Sequence, residues 1–132
     1  MVLDAFQGEG ERLSLEIEVL GLEELKRKFD RLSGENKRAI NEALETVGKE
    51  IVYEAQSLAP VRTGRLRDSI YYMILYELAL EVGASAPYAL FVEYGTWKAH
   101  AQPFLRPALQ DGRVVLENLR KAIQEFIEEV CR

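Results

Sequence analysis

Every second residue from Leu13 to Val19 is apolar, and the residues between them are Ser14, Glu16 and Glu18. A period of two residues is typical of a strand that has one face against a core and the other in solvent. The pattern therefore predicts a first strand over these positions. Gly21 interrupts the pattern and marks the end of the strand.

Two segments with helical spacing follow the first strand. From Leu22 to Leu32 apolar residues recur every three or four positions, which predicts a short amphipathic helix that ends near Ser33-Gly34. A longer apolar stripe extends from about Asn36 to Leu58 and stops at Pro60, because proline has no backbone N–H to donate and fits poorly inside a helix. This second segment is the longest helix that the sequence predicts.

Strand-forming residues return in the middle of the chain. The segments Ser69 to Ile74 and Leu78 to Val82 are rich in β-branched and aromatic residues. Because only a few residues separate them, they predict an antiparallel hairpin with its turn near Tyr76-Glu77. The turn contains no Gly or Asn.

The last third of the chain has helical patterns. Pro87 to Gly95 fits one or two helical turns or a short strand, and we favour the helix. Pro103 stands where a first helical turn tolerates proline, and an apolar stripe begins directly after it. The stripe pauses at Asp111-Gly112 and then resumes, so the C-terminal part is predicted to be helical.

The order of these elements predicts the class of the fold. Few strands and no repeated strand-helix-strand crossovers indicate an α+β fold. We expect a small antiparallel sheet, made of the N-terminal strand and the central hairpin, packed against a long central helix and a C-terminal helix. Residues 1–132 are expected to form a single domain, in which residues 1–12 are a possible flexible or assembly-dependent arm.

The composition narrows the classes of protein that fit. The chain of 132 residues is 48% hydrophobic and 30% charged, which suits a folded domain. Its formal net charge of -5 disfavours a global attraction to nucleic acid or to an anionic membrane. Cys131 has no cysteine partner, and no apolar run approaches the ~18 residues of a membrane span. We expect a soluble protein made in a cytoplasm.

Two stretches differ from generic helix or strand sequence. The first motif, Ala59 to Ile70, reads APVRTGRLRDSI, and the second motif, Tyr88 to Thr96, reads YALFVEYGT. The segment Pro103 to Leu109, which reads PFLRPAL, is called the third motif. In the first motif Thr63 can cap a turn through its hydroxyl and Gly64 permits a positive φ. The first two motifs are therefore predicted to be glycine-anchored loops.

In their order and approximate spacing, the three motifs resemble those of the phage tail-component family of the HK97 type, whose members are also called minor tail, tail-completion or neck proteins. The resemblance extends from about Leu22 to the C-terminal helix and leaves out residues 1–12 and the connector from Trp97 to Gln102. It implies a small α+β subunit that assembles into a ring at the head-tail junction. It implies no catalytic site, no cofactor and no metal, and its partners would be copies of itself and other neck and tail proteins.

The resemblance also implies which residues to examine for contacts between subunits, in the virion after assembly in a host cytoplasm. The candidates are Pro60, Arg62, Thr63, Gly64, Arg65, Leu66, Ser69, Tyr88, Glu93, Tyr94, Gly95, Thr96, Trp97, Pro103, Phe104, Arg106 and Pro107.

The arginines of the first motif have two interpretations. In the simpler one they are solvated and form local salt bridges to Asp68 or Glu93, which is common in loops. In the other they dock on an acidic neighbour, because the planar guanidinium pairs with carboxylates and arginine is enriched at interfaces. Among the nearby aromatic residues, Phe91 and Phe104 are expected in the core, whereas Tyr94 and Trp97 are better candidates for contact with a neighbour.

Other functions fit the residues less well. An enzyme would need a nucleophile with a base, an acid-base pair or a metal site. The single histidine, His100, has no ligand or base partner at a suitable spacing, and Ser69 beside Asp68 is common turn chemistry.

Two alternatives stay within virus assembly. A factor that holds the DNA end could use a basic cluster between Lys26 and Arg38 together with the arginines of the first motif, if both faced one surface. A tail-terminator subunit would rely on a sheet that continues from subunit to subunit, for which the chain has few strands.

Overall fold

The computed structural model of the protein describes residues 2–4, 13–18, 23–74 and 79–130. Its elements, in chain order, are β1 (Val2–Asp4), β2 (Leu13–Glu18), α1 (Glu23–Asp30), α2 (Gly34–Leu58), α3 (Arg65–Asp68), β3 (Ile70–Ile74), β4 (Ala79–Ala84), α4 (Ala89–Tyr94) and α5 (Leu105–Val130).

The strands form one antiparallel sheet in the order β1-β2-β4-β3. β4 lies inside the sheet, where Val82 is paired with Leu15 of β2 on one side and with Tyr72 of β3 on the other. Leu80 and Val82 are fully buried. The predicted hairpin is therefore present as β3 and β4, while its expected turn at Tyr76-Glu77 lies outside the described residues.

Helices α2 and α5 pack against each other and α2 packs against the sheet, with the larger part of the core between these elements. The contact of α2 with β3 is close at Gly48, where a Cβ would lie 2.9 Å from the ring of Tyr72. A smaller apolar cluster joins α1, the first half of α2 and the end of α5, with Leu44 and Ile127 at its centre. No helix in the described ranges is long and apolar enough to cross a membrane.

The α+β class and the packing predicted from the sequence are confirmed. Val2–Asp4, inside the segment expected to be an arm, forms a strand beside β2, and residues 5–12 lie outside the described residues. The pause in the apolar stripe at Asp111-Gly112 is not a break, because α5 is continuous there. Gly112 instead faces Ile51, and a Cβ on it would lie 3.0 Å from Ile51 Cγ1, so it allows α5 to approach α2.

Candidate interaction groove

The second and third motifs are joined by a buried carboxylate. Glu93, in the last turn of α4, has no exposed surface. Its Oε2 accepts hydrogen bonds from the backbone N–H groups of Phe104 (2.9 Å) and Leu105 (3.1 Å), and its Oε1 accepts one from the N–H of Arg106 (3.0 Å). These N–H groups at the start of α5 have no partner inside the helix. Glu93, which is distant in the sequence, therefore caps α5 and complements the positive end of its dipole.

Arg106 completes this arrangement from the solvent side. Its Nε donates to Glu93 Oε1 at 3.0 Å, and its Nη2 donates to the backbone oxygen of Glu93 at 3.3 Å. The guanidinium carbon lies 4.4 Å from the ring centre of Tyr94, a cation–π distance. Of the two carboxylates considered for the arginines of the first motif, Asp68 pairs with Arg67, whereas Glu93 pairs with Arg106, because the chain returns through the connector and brings Arg106 to the carboxylate.

The connector between the second and third motifs folds back on α4. Gly95 has φ 77° and ψ 174°, a conformation that L residues with a side chain rarely adopt, and a Cβ there would lie 2.6 Å from Ala101 N. Thr96 Oγ1 accepts hydrogen bonds from the N–H groups of Lys98 and Ala99, and Gln102 N donates to Val92 O at 2.8 Å. These bonds hold the chain so that Pro103 leads directly into α5.

The first motif forms a compact turn after α2. Pro60 follows the C-cap of the helix, and Thr63 Oγ1 accepts a hydrogen bond from Arg65 N at 3.3 Å. Gly64, with φ 83°, precedes the single turn of α3, and the buried Leu66 anchors that turn in the core. The predicted roles of Thr63 and Gly64 are confirmed. The turn holds the side chains of Arg62 and Arg65 in solvent.

The first two motifs and the connector together line one open groove with a volume of about 580 Å³. Its walls are formed by Pro60, Arg62, Thr63, Gly64, Arg65, Leu66, Tyr88, Phe91, Val92, Thr96, Ala99, His100 and Gln102. Among these described residues there are two arginines and a histidine and no acidic residue, although the chain as a whole has a net charge of -5. The groove is thus a locally basic and aromatic surface on an acidic protein.

Most of the candidate residues fall into two groups. The first group lines the groove and consists of Pro60, Arg62, Thr63, Gly64, Arg65, Leu66, Tyr88 and Thr96. Glu93, Tyr94, Gly95, Phe104 and Arg106 build the support below it, with Phe104 fully buried as expected.

Three further candidates lie at the ends of helices. Pro103 leads into α5, and Pro107 occupies its first turn, where a missing N–H costs no helical hydrogen bond. Ser69 closes α3, with its Oγ donating to Leu66 O at 2.7 Å.

Two aromatic residues of the second motif and the connector stand out by their exposure. Phe91 is 58% exposed, so the expectation that it belongs to the core is wrong. The short helix α4 is pinned through Ala89 and Glu93, which leaves position 91 on the solvent side of a helix with 3.6 residues per turn. Trp97 is 90% exposed, next to Lys98, whose Nζ lies 4.7 Å from its ring centre. Both side chains are available to a partner.

The sequence did not single out every residue of the groove. The sequence predicts Phe91 in the core, and it predicts no role for Ala99, His100 and Gln102, which belong to the connector outside the three motifs. Their place on the groove follows from the backbone bonds of the connector. Within the described residues no group of His, Cys, Asp or Glu side chains could hold a metal ion.

The comparisons with known proteins identify one family. The model of the bacteriophage HK97-gp10 tail-component family matches residues 23–95, just over half of the chain. The matched segment contains the first motif and all but the last residue of the second, whereas the third motif lies beyond it. Neither the curated proteins nor the solved structures returned a match.

Proposed function

Since the chain belongs to the HK97-gp10 family of bacteriophage tail components, we propose that it is a ring-forming, non-enzymatic subunit that completes the tail at the junction of head and tail. A tail component is a virion protein. The position in the neck, the ring and the contacts with other neck and tail proteins are the parts that we propose. Residues 1–132 would act in this role as one domain.

One observation carries the proposal. The first motif lies within the residues that match the family, and the second lies almost wholly within them. The two motifs are separated in the sequence but form walls of the same solvent-facing groove. If these residues served only folding, their side chains would be expected in the core, yet Arg62, Arg65 and Phe91 are exposed. Exposed aromatic and arginine side chains are the types that contribute most to protein interfaces. The groove is therefore suited to contact with another subunit.

The charge distribution supports passage of DNA rather than its retention. Tight binding of duplex DNA requires many phosphate contacts, which would oppose movement through a ring. The basic cluster that could serve a DNA-binding factor ends at Arg38 in the first turns of α2, while Arg62 follows the opposite end of that helix. The helical rise separates Arg38 from the end of α2 by about 30 Å, so the basic cluster and the arginines of the first motif do not form one patch.

A test uses a phage or prophage genome that encodes the chain. We expect Arg65→Ala and Tyr94→Ala to give folded proteins but few complete particles, with unjoined heads and tails visible by electron microscopy. Lys121→Ala, at an exposed position on α5 far from the groove, is the control and should assemble normally. Normal particle yields from both Arg65→Ala and Tyr94→Ala, or absence of the chain from purified virions, would refute the proposal.

The folded state of the purified variants is measured by circular dichroism and thermal unfolding. If both Arg65→Ala and Tyr94→Ala were unfolded as isolated subunits, their residues would have to be reassigned to support of the core. A mobility assay with DNA of arbitrary sequence completes the test. Strong binding with a steep salt dependence would favour the DNA-end factor instead.

A further inference from the structure

A second concave surface lies between α2 and α5 and has the opposite charge to the groove. We call it the acidic cleft. It has a volume of about 190 Å³ and is lined by Glu50, Glu54, Asp111 and Val115 at its rim, with Val47 and Ile51 at its base. No basic residue is among its described lining residues.

The carboxylates of the cleft are not satisfied within the described part of the chain. None of the carboxylate groups of Glu50, Glu54 and Asp111 forms a salt bridge or a hydrogen bond with a described residue. The backbone oxygen of Glu54 accepts a hydrogen bond from Ser57 Oγ at 2.6 Å. The guanidinium groups of Arg62 and Arg65 likewise form no salt bridge or hydrogen bond with a described residue, whereas Arg67 is paired with Asp68 at 3.4 Å. Complementary unpaired charges thus occupy two separate surfaces of one subunit.

The two surfaces lie on opposite flanks of α2. Gln56 faces the first motif, because its Nε2 donates to the backbone oxygen of Arg67 at 3.4 Å. Glu54 precedes it by two residues, which is a rotation of about 200° around a helix with 3.6 residues per turn. Arg62 and Arg65 line the groove, and neither is among the described residues that line the acidic cleft of the same subunit.

From this arrangement we propose that the acidic cleft receives the arginines of the first motif, Arg62 and Arg65, of a second copy of this chain. The guanidinium group is a flat fork that pairs with two carboxylate oxygens at once, and the cleft offers several carboxylates around a space of that size. Val47 and Ile51 at its base would contact the aliphatic part of the arginine side chain. The proposal rests on the proposed function, since it names the partner surface for the groove.

The placement of the two surfaces also determines the kind of assembly. A contact between two different patches is heterologous, and repetition of such a contact produces a ring when the rotation closes. The first motif lies on one flank of α2 and the acidic cleft on the other, so each subunit has one donor side and one acceptor side. The same contact repeated around an axis would use the first motif and the acidic cleft of every subunit.

Charge reversal tests the pairing with purified full-length protein. Arg65→Glu and Glu54→Arg should each weaken self-association about tenfold or more in sedimentation or light scattering, because each places like charges at the contact. An equal mixture of the two variants should regain self-association, and so should one chain that carries both changes. Lys121→Glu and Glu125→Arg, at exposed positions on α5, are the matched controls and should behave as wild type. Arg62→Glu repeats the test with a second arginine.

The outcomes show whether the acidic cleft receives Arg62 and Arg65 of a second copy. Loss of self-association in both single variants, without recovery in the mixture, would overturn the pairing. Unchanged self-association of either single variant would overturn it as well. A wild-type chain that stays monomeric at every concentration in low salt would overturn the contact between copies. If wild type instead bound DNA and Arg65→Glu abolished that binding, nucleic acid would be the occupant.

Particle assembly with the same variants separates this inference from the proposed function. If the chain is found at the neck of virions but Glu54→Arg does not change its self-association, the proposed function stands and the acidic cleft is not the acceptor. Absence from the virion would remove the proposed function, whatever the association of the isolated chain.

Discussion

Arg106 Nε lies 3.0 Å from Glu93 Oε1, although the two residues are separated by 13 positions and only the carboxylate is fully buried. The same carboxylate accepts the backbone N–H groups at the start of α5. One side chain thus ties the second motif to the C-terminal helix. The wall of the groove that carries Phe91 depends on this tie, because Phe91 and Glu93 both belong to α4.

Glu93→Ala is expected to lower the free energy of unfolding by about 3–5 kcal/mol, since it removes the buried partner of Arg106 and leaves helix N–H groups without an acceptor. Glu93→Gln should cost less, because the amide oxygen still accepts while the charge is lost. Chemical denaturation measures both. Glu45→Ala, an exposed carboxylate on α2, should change the stability by less than about 0.5 kcal/mol. Equal costs for Glu93→Ala and Glu45→Ala would contradict the capping role.

Arg106→Ala should cost about 1–2 kcal/mol, less than Glu93→Ala, because the backbone donors continue to hold the carboxylate and the arginine side chain is 46% exposed. Arg106→Lys should recover only part of this, since an ammonium cannot bond the carboxylate and the Glu93 carbonyl oxygen while stacking flat on Tyr94. Urea unfolding of the two variants checks the order. Full recovery by lysine would mean that charge alone matters.

Gly95→Ala is expected to destabilise the protein by about 2–3 kcal/mol, because its φ is strained for alanine and a Cβ would lie 2.6 Å from Ala101 N. The connector would have to move, so hydrogen exchange should increase at the Gln102 N–H. Gly34→Ala is the control, since nothing lies within 4 Å of a Cβ at the start of α2. It should be neutral or slightly stabilising in the same thermal unfolding experiment.

The two phenylalanines of the motifs should respond in opposite ways. Phe104→Ala should cost about 3–5 kcal/mol, because its ring is fully buried and leaves a cavity. Phe91→Ala should change the free energy of unfolding by less than about 0.5 kcal/mol and reduce particle assembly instead, since its ring is 58% exposed on the groove. A large stability loss in Phe91→Ala would return that residue to the core.

Local patterns in the sequence determined the elements and the class of the fold. Alternation over Leu13 to Val19, the stripe that ends at Pro60 and the β-branched residues of the hairpin each predicted an element that is present. Their periods reflect the geometry of a single helix or strand, which requires no knowledge of distant residues. The turn chemistry of Thr63 and Gly64 was predictable for the same reason, because it depends on neighbouring backbone atoms.

Only the tertiary structure decided which side chains meet. Glu93 has several basic residues at plausible separations, and its choice of Arg106 depends on the path of the connector after Gly95. The exposure of Phe91 depends on which side of α4 is occupied by Glu93 and its bonds. The first motif and the acidic cleft lie on opposite flanks of α2 because Gln56 contacts the first motif, whereas the cleft forms where α2 packs against α5. Sequence patterns record the period of an element, whereas pairing and exposure depend on where separate elements come to lie.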